Sequence, residues 1–243
     1  MPIVAGRRPR PGGWLRPLGI GLLVSVVVLA LGAVALLTMY LNRISDASSA
    51  LSRVDSLGSY EGRPTPVAVD GVNAVNYLLT TVGSDGELDA VLIAHLSASR
   101  RSLTLVAVPS DLRVGNTTLA ASHEAGPMLV ARDLEGLTGA RMDYQVQVDL
   151  QHFAPVVDAI GGTVLDGRRL SGQQVLAALE LPDAGARSVA TADLLRATLA
   201  AAAAGSVIVD PSRFDNILDA LTPCLKVDAN FTDEQIKATL VES

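Results

Sequence analysis

The sequence predicts an α/β domain, built as a three-layer sandwich with a central mixed sheet and helices on both faces, preceded by one transmembrane helix. Three observations predict this architecture. Several β-sized runs are almost continuously apolar, which is typical of strands covered on both faces. Later segments change to helical spacing punctuated by Pro and Gly, and one early apolar run is long enough to cross a bilayer.

The early apolar run predicts a membrane anchor. Residues 18–41 carry no charge, and at 1.5 Å per helical residue they exceed the ~30 Å of membrane hydrocarbon. Four arginines and no acidic residue precede this run, so the positive-inside rule places the N-terminus in the cytoplasm and the rest outside the plasma membrane. A cleaved signal peptide is the alternative, but its apolar region would span only about 7–15 residues.

Four parts follow from this assignment. We predict a basic cytoplasmic tail (1–17), the transmembrane helix (18–41), an extracytoplasmic stalk (42–70) and an α/β domain (71–243). The stalk is predicted from its mixture of Ser, Gly, Pro and isolated charges, a composition that favours turns and loops.

Within the α/β domain, strands come first. The apolar runs 75–82, 90–96 and 103–108 have the length and the Val, Leu and Ile content of strands. Residues 144–150 alternate apolar with polar side chains, and a short strand is predicted near 225–228. These five segments supply the predicted sheet.

Helices are predicted from apolar spacing and from the residues that start and stop them. One helix begins with Pro127 and ends at Gly139, in keeping with the preference for Pro at a helix start and Gly at its end. Further helices are predicted from these segments: 153–160, 171–181, 189–204, 211–221 and a last one after Thr232.

Composition excludes several classes of protein. Hydrophobic residues make up 49% of the 243 residues, which is enough for a core and excludes a disordered chain. The net charge of −6 argues against nucleic-acid binding, which normally requires a basic face. Cys224 is the single cysteine, so an intramolecular disulfide and a multi-cysteine metal site are excluded.

Three aspartates mark the ends of the first three strands. Asp85 follows the first, Asp89 precedes the second and Asp111 follows the third. If the first two strands are antiparallel neighbours, their ends converge, and gathered carboxylates suit Mg²⁺, which takes one or two carboxylates together with phosphate oxygens. The alternative is that these aspartates cap backbone amides in turns, as Asp commonly does.

A collinear series of segments resembles the LytR-CpsA-Psr family of bacterial envelope proteins. The series spans about 100 residues and has these members: Asn76–Asp85, Asp89–Leu96, Leu103–Asp111, Glu124–Pro127, Leu134–Tyr144, Val148–Phe153, Val156–Gly162 and Leu170–Leu176. The resemblance implies an external α/β domain on one membrane helix. It also implies transfer of a glycopolymer from a polyprenyl-pyrophosphate carrier to peptidoglycan, assisted by Mg²⁺.

The same resemblance implies roles for particular residues. Asp85 and Asp89 fall on the paired acidic positions and would hold Mg²⁺. Asp111 falls on the aspartate of the family's Pro-Arg-Asp motif and would orient or deprotonate the acceptor hydroxyl. Arg113 and Arg187 would steady phosphate oxygens.

Departures from the family pattern weigh against catalysis. Ser110 stands where the Pro-Arg-Asp motif has its arginine, and Glu180 and Pro182 stand where the family has two further arginines. A later Arg-x-x-Arg-Gln helix start survives only as Arg187, with Ala190 and Thr191 in place of its second half. Each lost charge-assisted hydrogen bond is worth about 1.5–3 kcal/mol, so we expect reduced or absent catalysis.

Two hypotheses therefore stand. In the first, the protein is an active phosphotransferase. In the second, it is a non-catalytic relative that binds the polyprenyl carrier or an active homologue in the cell envelope. Direct transcriptional regulation fits poorly, because only 17 residues are predicted inside the cell, too few for a DNA-binding motif.

Overall fold

The structure is a computed structural model that describes residues 41–66, 68–69, 71–83, 86–165, 167–202, 210–230 and 232. Two compact units divide the chain, Met1–Arg43 and Ile44–Ser243. The predicted transmembrane helix lies outside the described residues, apart from residue 41. Among the described helices, none is long and apolar enough to cross a membrane.

Strands and helices of the described residues follow here with their bounds. The strands are β1 (Ser52–Val54), β2 (Ala68–Val69), β3 (Val72–Asn73), β4 (Val75–Val82), β5 (Leu88–Leu96), β6 (Leu103–Val108), β7 (Arg113–Val114), β8 (Thr117–Thr118), β9 (Tyr144–Asp149), β10 (Thr163–Leu165), β11 (Arg168–Leu170) and β12 (Leu225–Asp228). The helices are α1 (41–50), α2 (Leu119–Ala125), α3 (Pro127–Thr138), α4 (Ala154–Ala159), α5 (Gly172–Leu179), α6 (Ala184–Ala202) and α7 (Pro211–Cys224), with a 3-10 turn at Leu150–His152.

Six strands form a mixed central sheet in the order β1-β12-β9-β4-β5-β6. Strand β4 is parallel to β9 and antiparallel to β5, β5 is antiparallel to β6, and β12 is antiparallel to β9. The mixed sheet predicted from the sequence is therefore confirmed. The remaining short strands form three separate hairpins, β2–β3, β7–β8 and β10–β11.

Each face of the sheet carries its own hydrophobic core. Along β5, Ala90 and Leu92 belong to one cluster, and Val91 and Ile93 belong to the other. Because successive side chains of a strand point to opposite faces, β5 is buried on both sides. Helices α4, α5 and α6 contribute to the first cluster, and α2 and α3 contribute to the second, which makes the three layers.

Helix α3 keeps the predicted boundaries. Pro127 occupies its first turn, and Gly139 ends it with a left-handed conformation at φ 67°. Glycine adopts this conformation without the steric cost that a β-carbon brings. Helix α5 begins one residue after Ser171, whose backbone N–H donates to Gln174 Oε1 at 2.9 Å. This reciprocal capping fixes the start of the helix.

Part of the segment predicted as a stalk lies within the sheet. Residues 52–54 form β1, which pairs in parallel with β12 at the edge of the sheet. Further along, the side chains of Tyr60 and Arg63 both bind the buried carboxylate of Glu135 on α3. The sequence gives little sign of this, because a three-residue edge strand has no measurable periodicity.

Candidate functional site

One edge of the sheet collects the predicted functional residues. Strands β4 and β5 are antiparallel neighbours, as the sequence-based hypothesis required, so the end of β4 and the start of β5 lie at the same edge. The pairing of Val91 with Val108 brings the end of β6 to that edge as well. We call it the aspartate edge. Asp85, the first of the predicted metal ligands, lies outside the described residues.

A β-bulge sets the position of Asp89. Thr81 pairs with Ala90 and Val82 pairs with Leu88, so Asp89 is the extra residue of β5 at this point. A bulge inserts one residue, bends the strand and re-aims a side chain. The carboxylate of Asp89 is accordingly neither in the core nor fully in solvent, with 29% of its side chain exposed.

Helix α6 brings Arg187 to the aspartate edge. Its Nε lies 3.7 Å from Asp89 Oδ1, and its Nη1 donates to the Leu181 carbonyl at 2.8 Å. The next residue, Ser188, fixes the helix to the sheet by donating its hydroxyl to the Val108 carbonyl at 3.0 Å. Asp89 and Arg187, predicted from distant parts of the sequence, are thus brought together.

The segment after β6 places Asp111 and Arg113 differently. Both side chains are exposed, and Arg113 opens the β7–β8 hairpin. Among the described residues, no ion pair joins Arg113 to Asp89 or to Asp111. Ser110, which stands in place of the family's arginine, is 4% exposed, and its carbonyl accepts the Ala120 N–H at 2.8 Å.

Two buried threonines near this edge have no functional role in the sequence-based hypotheses, although Thr191 was noted there as part of the degenerate arginine motif. The hydroxyl oxygens of Thr81 and Thr191 are buried without a hydrogen-bond partner in the structure, and so is Arg187 Nε. Thr191 follows Arg187 by four residues, which puts it on the same face of α6. An unpaired buried hydroxyl is unusual, because buried polar groups are normally paired. In the sequence, the four-residue spacing from Arg187 is the signal that could have pointed to Thr191.

Asp149 adds another carboxylate to the aspartate edge. It ends β9, where it pairs with Val82, and its oxygens contact His152 Nδ1 at 3.0 Å and the Gln151 N–H at 2.9 Å. Its charge and, more strongly, burial raise the pKa of the neighbouring Cys224 thiol to about 12. Cys224 is therefore a protonated core residue at neutral pH.

An apolar groove includes Leu181, whose carbonyl accepts the hydrogen bond from Arg187 Nη1. It has a volume of about 590 Å³ and lies between α5, α6 and the β10–β11 hairpin, with a lining that includes Leu165, Leu170, Leu179, Leu181, Ala186 and Val189. Ala186 and Val189 lie on the face of α6 that lines the groove, and Arg187 itself is not among the lining residues. Glu180, at the end of α5, is exposed.

Metal-ligating capacity at the aspartate edge is limited within the described part of the chain. No group of three His, Cys, Asp or Glu side chains that could hold a metal ion occurs there. Asp89 is one carboxylate of suitable chemistry, and its proximity to Arg187 leaves it partly neutralised. The second predicted ligand, Asp85, is outside the described residues.

The structure is thus an α/β sandwich. At one edge of its sheet an acidic residue pairs with an arginine, and an apolar groove lies close to this pair. The model of the LytR_cpsA_psr family matches residues 47–171, about half of the chain, and the chain belongs to this family. This confirms the resemblance found in the sequence, and the match extends back into the predicted stalk.

Individual relatives share only a small part of their sequence with this chain. The "Probable cell wall biosynthesis protein LcpB" of Corynebacterium glutamicum is 27% identical, over 66% of this chain and 42% of that protein, so the chain spans about two fifths of its length. A LytR-Csp2A-Psr enzyme from Actinomyces oris superposes with a TM-score of 0.57 at 20% identity, covering 79% of this chain and 81% of the other. TagT bound to LI-WTA gives 0.56 at 18% identity, covering 79% and 83%. These two likenesses show the fold.

Proposed function

We propose that this protein is a membrane-anchored, extracytoplasmic family member that binds a polyprenyl-linked glycan in cell-wall assembly, with reduced or absent catalysis. The observation that carries the proposal is the Asp89–Arg187 pair beside the apolar groove. An apolar groove suits an isoprenoid chain, and a guanidinium at its end suits a phosphate group, to which Arg offers a planar fork of donors.

The number of available donors supports weakened catalysis. Arg187 is the one predicted phosphate ligand that reaches Asp89, and Arg113 lies exposed on a hairpin. Ser110, Glu180 and Pro182 replace three family arginines. If each charge-assisted bond is worth about 1.5–3 kcal/mol, their loss weakens phosphate binding by about three to six decades. The buried hydroxyls of Thr81 and Thr191 are neutral donors and offset only part of this.

An active phosphotransferase is the second candidate. The retained carboxylates favour it: Asp111 would orient or deprotonate the acceptor hydroxyl, and Asp89 together with Asp85 would hold Mg²⁺. When bound, Mg²⁺ would neutralise negative charge on a pyrophosphate. Asp89 would then exchange part of its interaction with Arg187 for the ion, leaving the guanidinium to bind a phosphate oxygen.

Location and partners form part of the same proposal. The charge-free run 18–41, preceded by arginines, supports a single-pass anchor in the plasma membrane with the domain outside. The name of the LcpB relative and the ligand of TagT support a glycopolymer partner, with peptidoglycan as the acceptor. A catalytically active homologue is the protein partner expected for a non-catalytic member.

The experiment is a titration of the purified full chain with a short polyprenyl pyrophosphate, with and without Mg²⁺. We expect binding that Arg187→Gln weakens at least tenfold and that Arg196→Gln leaves unchanged. Arg196 is the matched control because it lies on the same helix, is exposed and pairs locally with Asp193.

Three outcomes separate the hypotheses. Binding without release of the polyprenyl product supports a non-catalytic relative. Mg²⁺-dependent binding with cleavage of the phosphate linkage, both abolished by Asp85→Ala and Asp89→Asn, establishes the phosphotransferase instead. Absence of binding in the wild-type chain rejects the polyprenyl proposal in both forms.

A further inference from the structure

A second cavity lies on the opposite face of the sheet from the apolar groove. It has a volume of about 470 Å³ and opens between β1, β4, β9 and the junction of α2 with α3. Its polar lining includes Arg53, Thr80, His123, Glu124, Gln145 and Gln147. We call it the glutamine cleft.

Strand β9 explains why this cleft is polar. It is an interior strand, with β12 on one side and β4 on the other, and such strands are usually apolar on both faces when helices cover them. Val146 and Val148 of β9 do join the core under α4 to α6. Gln145 and Gln147 point to the other face, so the alternation noted in the sequence marks a polar surface in the middle of the sheet.

Helices α2 and α3 pack mainly on a neighbouring part of this face and leave a cleft beside it, although Thr80 and Gln145 are themselves almost fully buried. Their apolar residues, including Leu119, Val130 and Leu134, pack in one cluster with Leu78 of β4 and Val91 of β5. The cleft lies beside this cluster, over Thr80 of β4 and Gln147 of β9, which pair with each other. A cleft of this size falls within the usual range for small-molecule sites.

Polar groups of the cleft include one buried atom without a partner. His123 Nδ1 is inaccessible to solvent and makes no hydrogen bond in the structure, although buried polar atoms are normally paired. Burial lowers the pKa of His123 below its ordinary value, so the ring is neutral at neutral pH. The Gln145 amide, in contrast, is engaged, because its Nε2 donates to the Asp55 carbonyl.

Charge and chemistry together indicate the ligand class. The lining contains one arginine, Arg53, and two acidic residues, Asp55 and Glu124. It therefore has no excess of positive charge to attract an anion. Amide, hydroxyl and imidazole groups offer both donors and acceptors, while Val54 and Pro127 add apolar surface. A neutral molecule with many hydroxyl or amide groups satisfies such a lining, and a saccharide has these properties.

We propose that the glutamine cleft is a binding site for a neutral saccharide, with Gln147 as a direct ligand of its hydroxyl or amide groups. The site lies on the other face of the sheet from the proposed polyprenyl groove and involves none of its residues. It therefore stands or falls separately from the proposed function.

Saturation-transfer NMR on the full chain tests the proposal. The probes are tri-N-acetylchitotriose, which is neutral, and trigalacturonate, which is a negatively charged saccharide of similar length. We expect saturation transfer to the neutral trimer and at least fivefold less transfer to the charged one. The Gln147→Leu variant, which keeps the side-chain volume and removes the amide, should lose at least fivefold of the signal from the neutral trimer.

Two further variants keep the result interpretable. Gln173→Leu makes the same change at an exposed position of α5 and should keep the full signal. Glu124→Ala, at an exposed position that does not threaten folding, should reduce it. Absence of transfer to the neutral trimer, equal transfer in Gln147→Leu and wild type, or preference for the charged trimer would each overturn the proposal.

Discussion

Glu135 shows how one buried carboxylate can join distant segments. Its side chain is 1% exposed and accepts hydrogen bonds from Arg63 Nε at 3.1 Å and from the Met142 N–H at 2.8 Å. Tyr60 donates its hydroxyl to the other carboxylate oxygen. The segment before the first long strand, helix α3 and the loop leading to β9 therefore meet at this residue.

We expect Glu135→Ala to lower the free energy of unfolding by about 3–5 kcal/mol, because removing one partner of a buried ion pair leaves the other charge uncompensated. The partner is Arg63, whose side chain is only 7% exposed. Equilibrium urea denaturation measures the change. Glu61→Ala, at an exposed neighbouring position, should stay within about 0.5 kcal/mol of wild type; equal effects of the two variants would show that the network adds nothing.

Cys224 should be inert in the folded protein. Burial and the nearby charge of Asp149 raise its pKa to about 12, whereas an unfolded thiol has a pKa of about 8.5. Only the thiolate reacts, so we expect labelling by a disulfide reagent at pH 8 to be at least about a thousandfold slower in the native chain than in denaturant. Comparable rates would contradict the assigned burial.

Asp143 should contribute a pH-dependent destabilisation. Burial raises the pKa of its carboxyl, although the Asn76 N–H and Arg141 act in the opposite direction. A raised folded-state pKa means that the native state binds more protons than the unfolded state, so this group's contribution to stability is fully present below the unfolded pKa. It is lost as pH rises through the folded value.

The Asp143→Asn variant removes this titration. We therefore expect the stability of the variant relative to wild type to increase as pH rises from 3 to 6, when both are measured by urea denaturation at each pH. The Oδ1 of asparagine can still accept the Asn76 N–H bond, which limits the structural change. A flat difference across this range would rule out the raised pKa.

At the scale of elements, the long periodic segments could be predicted and the short ones could not. Strands β4 and β6 have the predicted bounds, and β5 extends the prediction by two residues. Short apolar runs bounded by turn residues are typical of strands that are buried on both faces. Helix α2 and strand β1 were missed, because their short sequences have no clear periodicity and depend on tertiary contacts. The predicted last helix, after Thr232, lies outside the described residues.

The features of the site likewise divide into those that the sequence predicts and those that require the three-dimensional structure. The sequence predicted convergence of the β4 and β5 ends only on the condition that the two strands are antiparallel neighbours, which the structure confirms. The bulge at Asp89 depends on strand register, which no single sequence reveals. The same holds for Arg187, which reaches Asp89 only because α6 packs along β5 and β6. Thr191 and the glutamine cleft required the three-dimensional arrangement, since an alternating strand is normally taken as one with a solvated face.

Packing between α4 and α5 gives a prediction at this scale. A β-carbon on Gly172 would lie 2.6 Å from the Cα of Ala154, and this backbone cannot yield as a side chain can. We expect Gly172→Ala to lower the free energy of unfolding by about 1–3 kcal/mol, the usual cost of overpacking. Thermal or urea unfolding followed by circular dichroism measures it.

Gly136 provides the matched control. It lies in the interior of α3, is exposed, and has no atom within 4 Å of the position that its β-carbon would take. Gly136→Ala should therefore raise stability by about 0.4–1 kcal/mol, because alanine restricts the unfolded chain. The two identical substitutions are thus expected to have opposite signs, and equal signs would disprove the close approach of α4 to α5.

At the scale of the whole molecule, two segments that are distant in sequence pair at one side of the sheet. Strand β12 pairs with β1 on one side and with β9 on the other. The buried Asp228 accepts the N–H groups of Leu57 and Gln145 at 3.2 and 3.3 Å. Residues near both ends of the compact unit thus share one set of hydrogen bonds.

The pairing of β1 with β12 predicts the effect of shortening the chain. A chain that begins at residue 44 should keep the unfolding transition of the domain. One that begins at residue 56 lacks β1, loses two or three backbone hydrogen bonds worth about 0.5–1.5 kcal/mol each, and should unfold at lower urea concentration. It should also self-associate, because β12 becomes an exposed edge. Equal midpoints for the two chains, measured by urea denaturation, would contradict this role of β1.

The interior position of β12 also governs when the protein can fold during its synthesis. Ribosomes add about 5–20 residues per second, so about 4–16 s pass between the synthesis of residue 149, where β9 ends, and that of residue 228, where β12 ends. Throughout this interval one side of β9 is an unpaired edge, which can pair with other extended segments. Completion of the sheet therefore waits for the last of its strands to be made.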